Sequence, residues 1–391
     1  LRILHVITTL DVGGAEKHLE SQVRGQSERG HEVRVAYLKG EGTLAEDFRA
    51  AGAREVLQVP IGSGGSRLVP HLRWADIVHS HLLKADMVTA LMATVAGRRA
   101  RLVSGKHNDE QVLKRPLVSF VHGILGNLPR RTIALSDHVS RFVHRHGRVR
   151  AASMRRVYYG IDRAPFEAAA CMPADERDAL RAEFGFEPGD VVFVCVARFA
   201  AQKAHDVLLK ALRRAVDTGL EHDGPPIRLL LVGGDPFGDG KERAEALAGE
   251  LELGDSCVFA GIRHDVPRLL AASDVFTMSS LWEGLGLVFL EAMATSIPVL
   301  ATGVSAVPEV VVQGETGLLV PPAEVEPLAE AMLRLARDPA LRESLARAGR
   351  ARVEREFGLD RMVDQTLGIY RELIDGVPAD PDVLAQLAEP R

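Results

Sequence analysis

Short apolar, β-rich runs return along this chain at intervals, each followed by a longer stretch of helical periodicity, and this alternation limits the fold more than any other feature. The first half carries such runs at Arg2–Ile7, Glu32–Tyr37, 76–79, 101–104 and 132–135. The second half repeats the rhythm with VVFVCVA at 191–197, IRLLLVG at 227–233, CVFAG at 257–261, DVFTM at 274–278, IPVLAT at 297–302 and GLLV at 317–320. Strands joined through helices pair in parallel, so the class is α/β with two Rossmann-like, doubly wound sheets. The 391 residues suit two domains. Residues 164–189 lack strand character and mix Pro, Gly and acidic residues, which sets the expected boundaries at 1–168 and 185–370. From Glu324 onward the pattern is one of amphipathic helices, and 371–391 is expected to return as a helix or tail to the first domain. Sheets of this kind hold ligands beyond the carboxyl ends of their strands, so a site is expected in a cleft where the two domains face each other.

Composition removes several functions. Lys plus Arg number 48 against 53 Asp plus Glu, a formal net charge of -5, which argues against a nucleic-acid binder of the strongly basic kind. Cys171, Cys195 and Cys257 are scattered without CxxC spacing, so neither a zinc site nor a disulfide framework is indicated, and a reducing cytoplasm fits. The opening LRILHVITTL is interrupted at Asp11 and shows no signal-cleavage pattern, and no stretch reaches the ~20 apolar residues of a membrane span. Peripheral membrane contact stays open. The Asp380-x-Asp382 pair sits among prolines and is read as a loose terminus, not a metal site.

The residues able to do chemistry follow the strands. After the first run, Gly13 and Gly14 lead into a helix whose free N–H groups can face an anion, although the pair is neither GxGxxG nor a P-loop. In SSLWEGLGLVFLEAMATSIPVLAT, Glu283 precedes a helix start near Gly286, and Glu291 lies eight positions beyond Glu283. At ~1.5 Å per helical residue the carboxylates stand around 10 Å apart, which suits the two ends of an extended ligand better than one bond. Arg198 closes the strand at 191–197 and Lys203 follows five residues later, so two cations stand where a diphosphate would bind. His79 and His81 are spaced i, i+2, but no third ligand for a metal is apparent. His79 reads as a strand-end histidine, His81 as the functional one, and His107 as a candidate on the acceptor side.

The ordered segments VARFAAQKAHDVLLKAL, LLLVGGDP, VFAGIRHDVPRLLAASDVFTMSS, EGLGLVFLEAMATSIPVLAT and PEVVVQGETGLLVPP make the chain recognisable. With DVGGAEKHL, ADIVHSH, SGKHND, ALSDHVSRF and YYGID in the first half, it resembles the retaining glycosyltransferases of family four, the bacterial glycosyl transferases group 1, which have the two-domain GT-B fold. The resemblance implies a sugar moved from a nucleotide-sugar, by default a UDP-sugar, to an acceptor hydroxyl, with no metal or cofactor. Arg198 and Lys203 then correspond to the pair that neutralises the diphosphate, Glu291 to the carboxylate on the ribose hydroxyls, and Glu283 to the one facing the transferred sugar. Gly284, Leu285, Gly286 and Leu287 border sugar and phosphate; Gly261, Ile262 and Arg263 border the base; Gly233 and Gly234 form a turn near the nucleotide. Gly13 and Gly14 close over the diphosphate, and His81 lies near the reaction centre. A nucleotide-sugar epimerase or hydrolase of the same fold, or an inactive nucleotide-sugar-binding protein, are the alternatives.

Departures from the family pattern are Leu285 for Phe, Ser296 for Gly, Ser305 and Ala306 for a Gly-Gly pair, and Tyr158 and Tyr159 for Pro-Asn. The run 114–131 is apolar with basic ends and is read as a core helix, with a membrane or lipid-acceptor surface as the alternative.

Overall fold

Strands buried on both faces need largely apolar sequence, and VVFVCV and, apart from Arg2 and His5, RILHVI supply it at the centre of two separate parallel sheets. The computed structural model describes residues 1–11, 13–60, 66–221, 224–235 and 238–376. The chain divides into two units, one of residues 1–162 with the segment from Phe357 onward, the other Arg163–Glu356.

The first unit holds a seven-stranded sheet built from β1 (Arg2–Ile7), β2 (Glu32–Tyr37), β3 (Glu55–Gln58), β4 (Ile77–His81), β5 (Leu102–Lys106), β6 (Arg131–Ala134) and β7 (Met154–Arg156), ordered β3-β2-β1-β4-β5-β6-β7. The second holds a six-stranded sheet of β8 (Val191–Val196), β9 (Ile227–Val232), β10 (Cys257–Gly261), β11 (Val275–Met278), β12 (Val299–Thr302) and β13 (Gly317–Val320), ordered β10-β9-β8-β11-β12-β13. Both orders reverse beside the first strand of the unit, between β1 and β4 and between β8 and β11. At such a switch point the connections leave in opposite directions and open a crevice at the carboxyl ends. β3 and β7 escape the periodicity because both are edge strands, EVLQ and MRR, with few positions sealed from solvent.

The expected domain limits at 168, 185 and 370 fall elsewhere. The strandless region after Asp162 forms the helices Ala164–Ala170 and Ala174–Glu183, which pack on helix Val266–Ala272 of the second unit. Arg181 ties it down, donating to the Ala272 carbonyl at 2.7 Å and pairing with Asp274 at 2.8 Å. The return to the first unit begins at Phe357, not at 371. Helix Leu359–Asp375 lies on helix Gly14–Glu28 and buries Met362, Val363, Leu367 and Tyr370 in that unit's core, with Arg29 paired to Asp360 and Asp364. Amphipathic spacing shows that a helix has an apolar face but not whose core receives it. Asp380 and Asp382 lie outside the described residues.

Helix Pro116–Leu125 is not a core helix: Leu117, Phe120 and Ile124 face solvent. Among the described residues no helix is long and apolar enough to cross a membrane.

Candidate functional site

In the second unit the loops after β8 and β11 are stapled together. Leu281 N–H donates to the Gln202 carbonyl at 2.8 Å, Gln202 Nε2 donates to the Trp282 carbonyl at 2.7 Å, and the Ser279 hydroxyl lies 2.9 Å from the Lys203 and Ala204 carbonyls. Ala204, in the left-handed region at φ 46, ends the short 3-10 turn that carries Lys203. Lys203 Nζ sits 2.5 Å from Glu283 Oε1, which also accepts from the Ser280 hydroxyl at 2.6 Å. Both side chains are largely buried. This pair joins two residues eighty positions apart that the sequence reading treated as separate contributors, and Ser280 was not singled out at all.

Arg198 is exposed, and no partner holds its side chain among the described residues. Glu291, within helix Leu287–Ala294, is half-buried and likewise without a hydrogen-bond partner among the described residues. Burial alone pushes its carboxyl from 4.5 up to about 7. A carboxylate kept from water and given no protein donor is set up to accept from a ligand. Cys195, on β8, is inert because burial drives its thiol up to about 12.

Glycine is required at two of the expected positions. Gly233 has φ 154, and a Cβ there would collide with the Ala197 carbonyl oxygen; its N–H donates to Gly261 at 2.8 Å, so the ends of β8, β9 and β10 meet with no side chain between. Gly286, at φ 81, caps helix Leu287–Ala294, and a Cβ would press on the Phe289 ring. Gly284 and Leu285 complete this turn, with Leu285 buried. Gly261 also takes a left-handed conformation at φ 67, and Ile262 beside it is exposed. Arg263 is committed within the protein: it is bidentate to Asp265 at 2.9 and 2.8 Å and bonds Glu183 at 2.6 Å, so its guanidinium is not free for a base. Ser296 and Ser305 stand at φ 62 and 49, which explains why glycine is the usual residue at both places.

In the first unit Gly13 is the extended residue before helix Gly14–Glu28, and Gly14 faces open space. The buried Glu16 turns back beneath this loop, where it accepts from the Thr9 hydroxyl at 2.8 Å. A Cβ on Gly13 would strike that carboxylate, a constraint the Gly-Gly pair did not reveal.

His81 is fully buried and both its ring nitrogens are used. Since a carboxamide oxygen only accepts, a single direction of donation runs through the network: His5 Nε2–H to Gln26 Oε1 at 2.9 Å, His81 Nε2–H to His5 Nδ1 at 2.9 Å, His107 Nε2–H to His81 Nδ1 at 2.8 Å, and Tyr159 O–H to His107 Nδ1 at 2.7 Å. Gly105, paired with His81 across β4 and β5, leaves the space the imidazoles fill; a Cβ there would lie 2.9 Å from His79 Nε2 and 3.1 Å from His81 Nδ1. Burial keeps the rings neutral, lowering His5 to about 4 and His107 to about 3. His81 therefore has no nitrogen to offer a ligand in this arrangement, while the half-buried His107 is the member nearest solvent.

The third ligand that the His79–His81 spacing lacked exists in three dimensions. Nitrogens of His5, His79 and His81 lie within 4.8 Å of one another, because β1 and β4 pair with His5 opposite His79. His79 Nδ1 meets the Tyr370 hydroxyl at 2.7 Å and its Nε2 has no partner. Among the described residues no carboxylate joins the triad to offset a dication.

Comparison with known proteins agrees with both halves of this description. The family described as Glycosyl transferases group 1 matches residues 176–352, and Glycosyltransferase Family 4 matches residues 12–164. The chain is 30% identical over 390 residues to the GDP-mannose-dependent alpha-(1-6)-phosphatidylinositol monomannoside mannosyltransferase of Mycolicibacterium smegmatis, covering 93% of this chain and 95% of that protein. It is 28% identical to the N-acetyl-alpha-D-glucosaminyl L-malate synthase of Bacillus anthracis, over 76% of this chain and 75% of that one. The crystal structure of Anabaena Alr3699/HepE in complex with UDP and glucose superposes with a TM-score of 0.81 at 22% identity, covering 94% of this chain and 98% of that chain, so the fold is the GT-B fold.

Proposed function

Because the chain belongs to the glycosyl transferases of group 1, we propose that it moves a sugar from a UDP-sugar to an acceptor hydroxyl with retention at the anomeric carbon and without a metal. The observation that carries this reading is the loop pair after β8 and β11, where the Lys203–Glu283 ion pair is accompanied by Arg198 and Glu291, whose side chains have no partner among the described residues. Lys203 and Arg198 offset the charge that grows on the departing diphosphate, which makes a metal unnecessary for that step. Glu291 accepts from the ribose hydroxyls. Glu283, paired with Lys203, faces the transferred sugar. The acceptor hydroxyl attacks from the face the diphosphate leaves, its proton passing to the departing phosphate.

The test is calorimetric titration with UDP, GDP, ADP and dTDP and their common sugar conjugates, with and without EDTA, followed by donor turnover with and without candidate acceptors. Selective binding of UDP compounds that survives EDTA supports the reading. Selectivity for GDP compounds overturns the donor, and turnover indifferent to every acceptor makes the protein a hydrolase or epimerase.

Glu291 adds a pH signature. Its folded-state carboxyl titrates about 7, well above the usual 4.5, and the ionised form is the better hydrogen-bond acceptor. UDP-glucose affinity should therefore be constant above pH 7 and fall below it, approaching tenfold per unit; the donor's own phosphate diester does not titrate there. Glu291→Gln should bind weakly and with a flat profile. A wild-type profile flat from pH 5.5 to 8 would remove Glu291 from the nucleotide site.

A further inference from the structure

Three stretches of the first unit, 91–101, 112–131 and 141–156, hold thirteen Lys and Arg and no Asp or Glu, in a chain whose net charge is -5. The fold brings them together. Helices Leu83–Val95 and Pro116–Leu125 connect β4 to β5 and β5 to β6, strands adjacent in the sheet, so right-handed crossovers lay them side by side on one face, where they pack on each other. Arg148, from the third stretch, lies against Gly123 and donates to the Ser119 hydroxyl at 3.2 Å.

Five of the eight exposed large apolar side chains among the described residues lie on these two helices. Leu117, Phe120 and Ile124, at i, i+3 and i+7, are 75%, 56% and 57% exposed, and Leu91 and Val95, at i and i+4, are 51% and 63% exposed. Such a patch on an otherwise polar surface marks an interaction site. At the foot of the second helix a cavity of about 510 Å³ is lined by Arg99, Arg130, Arg131 and Arg150 with Asn127 and Ser153. Asn127 joins helix to cavity, donating to the Gly123 and Arg148 carbonyls at 2.7 and 2.8 Å. Arg131 is spent on Glu372, whereas the exposed Arg130 side chain has no partner among the described residues.

We propose that this face docks on an anionic lipid bilayer, with the apolar stripes at the acyl boundary and the arginine-lined cavity receiving a lipid headgroup phosphate. The arrangement follows interfacial physics: a short apolar helix lies in the membrane plane, and long cationic side chains at its rim reach the phosphate layer. Charge decides the occupant. The three stretches carry cations and no anions of their own, and the acids that reach them, Glu372 at Arg131 and Arg155 and Asp137 at Arg156, do not take up the exposed Arg130 and Arg150. Each arginine near an anionic surface strengthens partition about five-fold. The inference is independent of which nucleotide the second unit binds.

Co-sedimentation of the full chain with phosphatidylcholine vesicles, with and without phosphatidylglycerol, tests it. Binding should require phosphatidylglycerol and weaken as salt is raised. Arg130→Gln with Arg150→Gln, both exposed positions, should cost about 25-fold in partition. Leu117→Ser with Phe120→Ser should reduce binding at every salt concentration, with thermal unfolding and UDP titration unchanged. Failure to bind the anionic vesicles at low salt, or variants that bind like wild type, would overturn the proposal. Tighter binding to a DNA duplex than to the vesicles would overturn it in favour of a nucleic-acid surface.

Discussion

Lys203→Ala should slow sugar transfer by about two to three orders of magnitude while changing UDP-sugar affinity far less. The cation is held 2.5 Å from Glu283 in a largely buried position, so it is already ordered when charge develops on the leaving diphosphate. Preorganised charge of this kind acts mainly on the transition state, which is why kcat and not binding should bear the loss. Lys203→Arg should recover part of the rate, since charge is kept but the ammonium's place beside Glu283 is not reproduced. Arg198→Ala, at an exposed and more screened position, should cost less. The checks are nucleotide release in steady state and calorimetry with UDP-glucose on the same preparations. A kcat within a few-fold of wild type for Lys203→Ala would remove the residue from leaving-group stabilisation and leave it as the buried partner of Glu283.

The second large effect is on stability. In the first unit Lys106 Nζ lies 2.5 Å from Asp86 Oδ2, with both side chains almost fully buried. Asp86 also accepts from the Ser80 hydroxyl at 2.6 Å, and Lys106 Nζ lies 3.2 Å from His122 Nε2 on the helix that carries the exposed apolar stripe. Asp86→Ala strands a buried ammonium, which should destabilise the unit by about 3–5 kcal/mol and lower its melting transition by ~10 °C. Asp86→Leu with Lys106→Met should regain most of that loss, because neither desolvated charge remains. A thermal-unfolding cycle over the two single variants and the double one decides the matter. If Asp86→Ala melts with wild type, the pair is solvated in solution. If the double variant is no better than the single, packing and not charge governs the site.

Much of the architecture could be read before folding, because its cause is local. The strands at 2–7, 191–196, 227–232, 257–261 and 317–320 are largely apolar runs, as a buried parallel strand needs, and the strand at 32–37 alternates as EVRVAY. The edge strands β3 and β7 lacked that signal. The loops after β8 and β11 could be picked out as a candidate site because each carries a cation or carboxylate at the end of an apolar strand, and the structure brings Lys203 and Glu283 of the two loops together. Two readings failed for one reason, that each turned on what lies opposite. Helix 359–375 has an apolar face whichever unit receives it. The run 114–131 is apolar whether it is covered or, as found, left open at Leu117, Phe120 and Ile124. Arg263, expected to border the base, is paired in space with Asp265 and Glu183, a partnership its place in the sequence does not show.

The histidines draw the line most sharply. Sequence alone determined that His79 and His81 share one face of a strand, since side chains alternate with a period of two. Only the tertiary structure decided that His5 lies opposite His79, that Gly105 clears the space beside them, and that His107 and Tyr159 complete the chain of hydrogen bonds. Periodicity is a property of the local backbone and can be read residue by residue. Register between strands is set by the burial of whole faces at once, and it is register that turns five separated polar residues into one buried, neutral network.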